Sequence, residues 1–430
     1  AGSINFFCGD ENRGCGCCSN IPSRAVFIKY LDPCACRFKR DRNMLKEFSW
    51  QAFGAGLIAA LVGFGSSFAV VVAGLVAVGA SPAQASSGLM AAAMAMGFAG
   101  IVTAMMTRMP IAAAWSTPGA ALLATTGALE GGFEAAVGAL LICGGMIVVA
   151  GFFKPLGRLV AMIPTTLASA MLAGVLLGLC LMPVKAVAST PAAAIPVIVV
   201  WALVARFKRL WSIPAAVLAA IAVVLWMGAP IRPATLWPAP MLVTPIFSWG
   251  AIIGIALPLF VVTMASQNIP GIAVLRSFGY APPTGSPIAV TGIFSILAAP
   301  FGGHTVNLSA IVAALCAGPD AHADPSRRYW AAIFMGVFSV FLGLLASLVI
   351  ALVEAAPPYL IETVAGLALL GPLAQSLKNA LADDEAREAA IVTFVVAASG
   401  LSIAGIGGAF WGLIAGGLIL ALKRANATRF

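Results

Sequence analysis

From Ala52 onward the chain is a succession of apolar stretches, each near the roughly 20 residues that a bilayer-spanning helix needs, separated by short Pro, Gly or charged breaks. Clear stretches cover 52–80, 84–106, 132–153, 164–183, 190–206, 212–229, 249–274, 329–353, 357–376, 389–407 and 408–423. Three others, 110–127, 286–301 and 303–318, are shorter and interrupted. The pattern predicts an all-α polytopic membrane protein with about 14 transmembrane segments.

A shift of 200 positions superposes Leu57 on Leu257, Val62 on Val262, Ser66 on Ser266, Gly79 on Gly279 and Pro82 on Pro282. Each half then has a long first helix, a second helix, a broken third segment and four further spans. Seven is odd, so the second copy must be inverted, a layout common among carriers. The expected organisation is a first repeat over 48–232, a second over 245–424, a cytoplasmic tail at 425–430 and an N-terminal tail at 1–47.

Composition agrees: 61% of residues are hydrophobic, 9% are charged and the mean hydropathy is +1.03, outside the range of soluble domains. The net charge of +9 reads as topology rather than as a nucleic-acid footprint, because cytoplasmic loops collect Lys and Arg. With fourteen crossings and both termini cytoplasmic, Arg108, Lys154, Arg158, Arg206, Lys208, Arg209, Arg276, Arg327, Arg328, Lys378, Arg387, Lys423, Arg424 and Arg429 fall inside. Lys185 and Arg232 fall outside. The expected location is a bacterial inner membrane.

The first 47 residues hold eight of the 24 basic residues and six of the nine cysteines, Cys8, Cys15, Cys17, Cys18, Cys34 and Cys36, with no apolar period. Their spacing lacks the paired C-x-x-C or His partners of a zinc site. No metal is expected, and the segment reads as a disordered or non-native tail ahead of a start at Met44.

Non-helical backbone at membrane depth is tolerated only where it lines a cavity or is buried in protein, so function is expected at the broken segments. In the first half a short extended piece from Ile111 to Trp115 precedes Ser116-Thr117-Pro118-Gly119, where Thr117 reads as an N-cap before Pro118. In the second half, Gly302-Gly303-His304-Thr305-Val306 leads to Asn307, also read as an N-cap, and a half-helix from Leu308. Two helix N-termini meeting near mid-membrane would suit an anion. Ser266-Gln267-Asn268 interrupts an otherwise apolar span, and those amides must face protein, water or substrate. The candidate substrate-binding residues are Phe64, Ser66, Ser116, Thr117, Gly119, Gln267, Asn268, His304, Thr305 and Asn307. His304 is one of two histidines and the proton-coupling candidate; Glu130, Glu134 and Glu362 are its rivals.

The segments Ser81-Pro82-Ala83-Gln84, Arg108-Met109-Pro110, Ala114-Trp115-Ser116-Thr117-Pro118-Gly119-Ala120-Ala121-Leu122-Leu123 and Phe301-Gly302-Gly303-His304-Thr305-Val306-Asn307-Leu308 resemble the BenE family of benzoate/proton symporters, from about Phe48 to Arg424. The resemblance implies the fold of the nucleobase/ascorbate carriers and the bicarbonate and sulfate exchangers. It implies a core of spans one to four and eight to eleven, a gate of the remainder, and substrate held between them. Nucleobase carriers of that fold use acidic residues on the eighth and tenth spans, whereas this chain has Gln267, Asn268 and His304 there.

The function expected is import of benzoate or a similar aromatic carboxylate by proton symport, with alternating access of core against gate. The proton is the coupling ion and no other cofactor is expected. The partners are the small carboxylate, the proton and the lipid bilayer, with no nucleic acid, and assembly as a homodimer is an expectation. A nucleobase carrier, another anion carrier, or an uncoupled channel or exchanger of the same fold is the alternative. An enzyme is not expected, since neither H-E-x-x-H nor G-x-S-x-G occurs.

Overall fold

The computed structural model describes residues 49–127, 129–153, 164–208, 211–228, 237–403 and 406–427. The N-terminal cysteine-rich tail, and Lys154, Arg158, Arg209, Arg232 and Arg429 from the topology argument, lie outside the described residues.

The first predicted span is two helices, α1 (Trp50–Gly65) and α2 (Phe68–Ala77), parted at Ser66 and Ser67. Next comes α3 (Pro82–Thr107), started by a capping box in which Ser81 Oγ accepts from the Gln84 N–H (3.3 Å) and Gln84 Oε1 accepts from the Ser81 N–H (2.9 Å). Strand β1 (Ala113–Trp115) runs into α4 (Thr117–Thr126), followed by α5 (Gly132–Phe152), α6 (Thr165–Cys180), α7 (Met182–Ser189), α8 (Pro191–Phe207) and α9 (Ser212–Trp226). The second half opens with the long helix α10 (Trp249–Ser277) and α11 (Ser286–Ala298), then β2 (Val306–Leu308) and α12 (Ala310–Ala317). It closes with α13 (Tyr329–Gly343), α14 (Ala346–Ala355), α15 (Leu360–Ala380), α16 (Arg387–Ala398), a hairpin of β3 (Ser402–Ile403) and β4 (Ile406–Gly407), and α17 (Gly408–Ala427).

Among the described residues, six helices are long and apolar enough to cross a membrane: Trp50–Ala77, Pro82–Thr107, Gly132–Phe152, Thr165–Ser189, Trp249–Ser277 and Leu360–Ala380. A seventh crossing is available if the bent pair Pro325–Gly343 and Ala346–Ala355, 54° apart, is one span. Pro191–Phe207, Ser212–Trp226 and Ser286–Phe301 are shorter apolar helices. Two predicted spans take a different form. The stretch 329–353 bends at Leu344 and Leu345, and 389–407 leaves the helix after Ala398 to make the hairpin.

The halves interlock through pairs of helices distant in sequence. α3 packs along α13, and α5 along α11. At the first crossing Gly97 and Gly336 face one another so closely that a Cβ on either would lie 2.5 Å from the other's carbonyl oxygen. At the second, a Cβ on Gly292 would lie 2.7 Å from the Val148 nitrogen. Lipid is as apolar as leucine, so backbones that close up over small residues supply the contact that hydrophobicity cannot.

Overpacking of this kind costs about 1–3 kcal/mol. Gly97→Val is therefore expected to lower the apparent melting temperature of the detergent-solubilised protein, read by tryptophan fluorescence, whereas Gly54→Ala, with nothing within 4 Å of the added carbon, leaves it within error. Equal melting of the two variants would contradict the crossing.

Candidate functional site

The centre of the protein is a two-stranded antiparallel ribbon that pairs Ala113 with Leu308, Ala114 with Asn307 and Trp115 with Val306. Its ends are closed by the Ser116 N–H on the Thr305 carbonyl (2.9 Å) and the Ser309 N–H on the Ala112 carbonyl (3.1 Å). Side chains satisfy the outward-facing amides of β2. Ser295 Oγ on α11 accepts from the Val306 N–H (2.8 Å), and Asn268 Oδ1 on α10 accepts from the Leu308 N–H (2.8 Å).

Each strand feeds a short helix, so α4 and α12 begin at opposite ends of the ribbon. Their caps correct the sequence reading. α4 is capped by Ser116, whose Oγ accepts from the Gly119 N–H (3.2 Å), with Thr117 already in the first turn. α12 is capped by Ser309, whose Oγ accepts from the Val312 N–H (3.3 Å). Asn307 is drawn into the ribbon instead: with its amide oriented by its neighbours, it accepts from the Ser116 N–H (3.2 Å) and donates to the Leu308 carbonyl (3.0 Å).

The break between α1 and α2 is tied to the ribbon by Trp115. Its indole N–H donates to Ser67 Oγ (2.7 Å), which itself donates to the Gly63 carbonyl (2.9 Å). Phe64 lies 5.1 Å from the Trp115 ring, tilted by 52°, and both are buried. Ser66 turns its hydroxyl back to Gly63 (3.2 Å).

α10 contains two π-turns, Ile252–Ala256 and Met264–Asn268, a helix irregularity that often marks functional sites. The second carries Ser266, Gln267 and Asn268. Ser266 donates to its own helix at Val262 (2.6 Å), and Asn268 also donates to Met264 Sδ (3.3 Å). Gln267 is half-buried, and among the described residues its amide has no protein partner; the half-buried Thr117 hydroxyl is in the same state.

His304 is fully buried, with Nε2 3.2 Å from the Ser116 carbonyl and Nδ1 unpartnered. Thr305 is also fully buried, its hydroxyl unpartnered. Gly119 is packed under α10, where a Cβ would collide with Leu259.

The structure thus brings Ser116, Asn268, His304, Thr305 and Asn307 together around one ribbon, with Phe64 joined through Trp115. Thr117, Ser66 and Gln267 are the candidates that keep accessible surface. Glu134 and Glu362 sit in the first turns of α5 and α15, and Glu130 just precedes α5. Residues that sequence reasoning left out are Thr263, whose hydroxyl meets Ser116 Oγ at 3.0 Å, and Ser295. The single polar residue in Gly292-Ile293-Phe294-Ser295-Ile296-Leu297 was a readable signal for the latter. At the far end of α4 a cavity of about 190 Å³ opens beside Leu122, Thr125, Gly178, Gly254 and Ala397.

Residues 46–422 match the family described as Benzoate membrane transport protein. The inner membrane protein YdcO of Escherichia coli K12 is 38% identical over 378 residues, which are 87% of this chain and 96% of that protein. The benzoate membrane transport protein of Acinetobacter baylyi is 30% identical over 378 residues, 87% of this chain and 95% of that one. Among solved structures, the transmembrane domain of the cyanobacterial bicarbonate transporter BicA superposes with a TM-score of 0.57 at 12% identity, covering 86% of this chain and 98% of that domain. SLC26A9 superposes with a TM-score of 0.56 at 13% identity, covering 89% and 67%. At such identities the likeness concerns the fold.

Asn268→Leu removes the acceptor of the Leu308 N–H, and a buried donor left unmade costs about 1–3 kcal/mol. The variant is expected to melt clearly lower than Ser266→Ala, which loses only a bond to its own helix. Indistinguishable melting curves would show that Asn268 does not hold the ribbon.

Proposed function

Because this chain belongs to the benzoate membrane transport protein family, we propose that it imports benzoate or a similar aromatic carboxylate together with a proton. That it is a multi-pass membrane transporter, not an enzyme, follows from the family; substrate and coupling are our reading.

The observation that carries it is the start of α4. The N-terminus of this ten-residue helix offers the Thr117 N–H and the positive end of a dipole, since Pro118 has no N–H and the Gly119 N–H is capped by Ser116. Two half-buried polar groups lack a protein partner among the described residues: the Thr117 hydroxyl in the first turn of α4, and the Gln267 amide on α10, one turn beyond Thr263, which meets the capping Ser116 Oγ at 3.0 Å. An ionised carboxylate is acceptor-only, and these are donors. No Asp or Glu is among the buried described residues, so the surroundings do not repel an anion. Proton symport is favoured on energetic grounds. An anion entering against an inside-negative potential is opposed by about 2.3 kcal/mol per 100 mV, and one accompanying proton cancels that charge.

We read the chain as fourteen crossings in two inverted sevens, over 48–232 and 245–424, with both termini cytoplasmic; three observations favour the inverted relation of the halves. The α1–α2 break at Ser66 and the π-turn at Ser266 fall 200 positions apart. The ribbon strands run antiparallel, as inverted copies require. The α3–α13 and α5–α11 crossings exchange equivalent helices between the halves. A core of spans one to four and eight to eleven would then move against a gate of the rest, with substrate at the start of α4.

Proteoliposomes loaded at pH 7.5 and diluted into acidic buffer, as about a one-unit gradient, are expected to accumulate radiolabelled benzoate, and a protonophore to abolish it. Loss of a hydrogen bond to a charged ligand costs about 1.5–3 kcal/mol, so Gln267→Leu should weaken apparent affinity roughly 10- to 100-fold with little change in melting. Movement of uracil or bicarbonate in place of benzoate would overturn the substrate. Benzoate flux indifferent to the proton gradient would leave an uncoupled channel or exchanger.

A further inference from the structure

We propose that the coupled proton binds Nδ1 of His304, and that Ser116 transmits its arrival to the helix end that holds the carboxylate. The proposal rests on the symport reading above and adds the atom and the linkage.

The tautomer follows from the partner. A carbonyl oxygen only accepts, so the contact between Nε2 and the Ser116 carbonyl at 3.2 Å requires the hydrogen on Nε2. In a neutral imidazole the other nitrogen is then a bare acceptor. Nδ1 is that nitrogen, in a fully buried ring, and no donor among the described residues reaches it. Nδ1 is therefore the one atom of this ring to which a proton can add.

The surroundings offer no rival on the elements that pack around the ribbon. α3, α4 and α11 contain no ionisable side chain. Arg108 is the C-cap of α3, Arg276 lies in the last turn of α10, and Glu134 lies in the first turn of α5. The thiols of Cys143 on α5 and Cys316 on α12 complete the titratable set on these elements. His304 is thus the one imidazole in a neutral, polar centre.

Ser116 supplies the link. Its carbonyl accepts both from His304 and from the Ala120 N–H (2.8 Å), the first hydrogen bond of α4. Its hydroxyl accepts from the Gly119 N–H and meets Thr263 of α10 at 3.0 Å. A proton on Nδ1 turns the Nε2–H into a charge-assisted donor to that carbonyl and places a positive charge beside the start of α4. An unpaired charge in a dry interior is unfavourable, and the bound carboxylate is its counter-charge. Each then raises the affinity for the other by the same factor. The step balances without further reactants. A proton from the outer solution adds to Nδ1, no other bond is made or broken, and on the inner side the proton leaves with the carboxylate while Nε2 keeps its hydrogen.

The chain contains only two histidines, and His322 lies in the loop after α12, its Nδ1 accepting from the Asp324 N–H (2.9 Å). The full-length His322→Gln protein therefore carries a single imidazole. With ¹⁵N-histidine in liposomes, solid-state NMR is expected to find the Nε2–H tautomer without benzoate and the doubly protonated ring at saturating benzoate. In weakly buffered detergent about one proton should be taken up per benzoate bound, falling more than tenfold in His304→Gln. An Nδ1–H tautomer, or benzoate binding without proton uptake in the unaltered protein, overturns this proposal and leaves the substrate reading intact. Failure of the unaltered protein to bind benzoate at all overturns both.

Discussion

A peptide group without a hydrogen-bond partner is costly in hydrocarbon, and this chain leaves the helical state twice near the middle of its span. The antiparallel pairing of Ala113–Trp115 with Val306–Leu308 makes this tolerable. Each strand provides partners for the other, and Ser295 and Asn268 satisfy the outward N–H groups of β2. Neither break is viable without its counterpart from the other half of the chain. The same pairing starts α4 and α12 from opposite ends of one ribbon, with their positive dipole ends at the centre of the protein.

The elements around the ribbon pack closely on it. Trp115 is fixed by Ser67 and Phe64, α10 is pressed against Gly119 through Leu259, and the glycine crossings of α3 with α13 and α5 with α11 clamp the flanks. Against this rigid setting the accessible polar groups at Thr117 and Gln267 stand out.

Much of this was legible in the sequence because membrane chemistry penalises exceptions. The interruptions near Thr117 and His304, and the amides Gln267 and Asn268 in an apolar run, were visible as departures from the lipid rule. The caps were misjudged by one or two residues. Ser116 and Thr117, or Asn307 and Ser309, are equally good caps locally, and only pairing with a strand almost two hundred residues away decides between them. Ser67 was legible beside Ser66 as a polar interruption of the first span, whereas Thr263 gave little signal, because Ser and Thr in membrane helices commonly bond back to their own turn. That Ser67 accepts from the Trp115 indole, and that the Thr263 and Ser116 hydroxyls share a hydrogen bond, is a matter of tertiary contact. Phe64 was expected to offer a face to substrate; the structure packs it on Trp115.

The account stands on the start of α4 as the seat of the carboxylate, and the most direct measurement is a cryo-electron microscopy structure with 4-iodobenzoate bound, whose heavy atom fixes the ring's orientation. The prediction is a carboxylate within hydrogen-bonding distance of the Thr117 N–H and hydroxyl and of the Gln267 amide, with the iodine pointing away from the ribbon. A carboxylate found instead in the cavity beside Thr125 and Ala397, or at the start of α12 with Gln267 untouched, would contradict it.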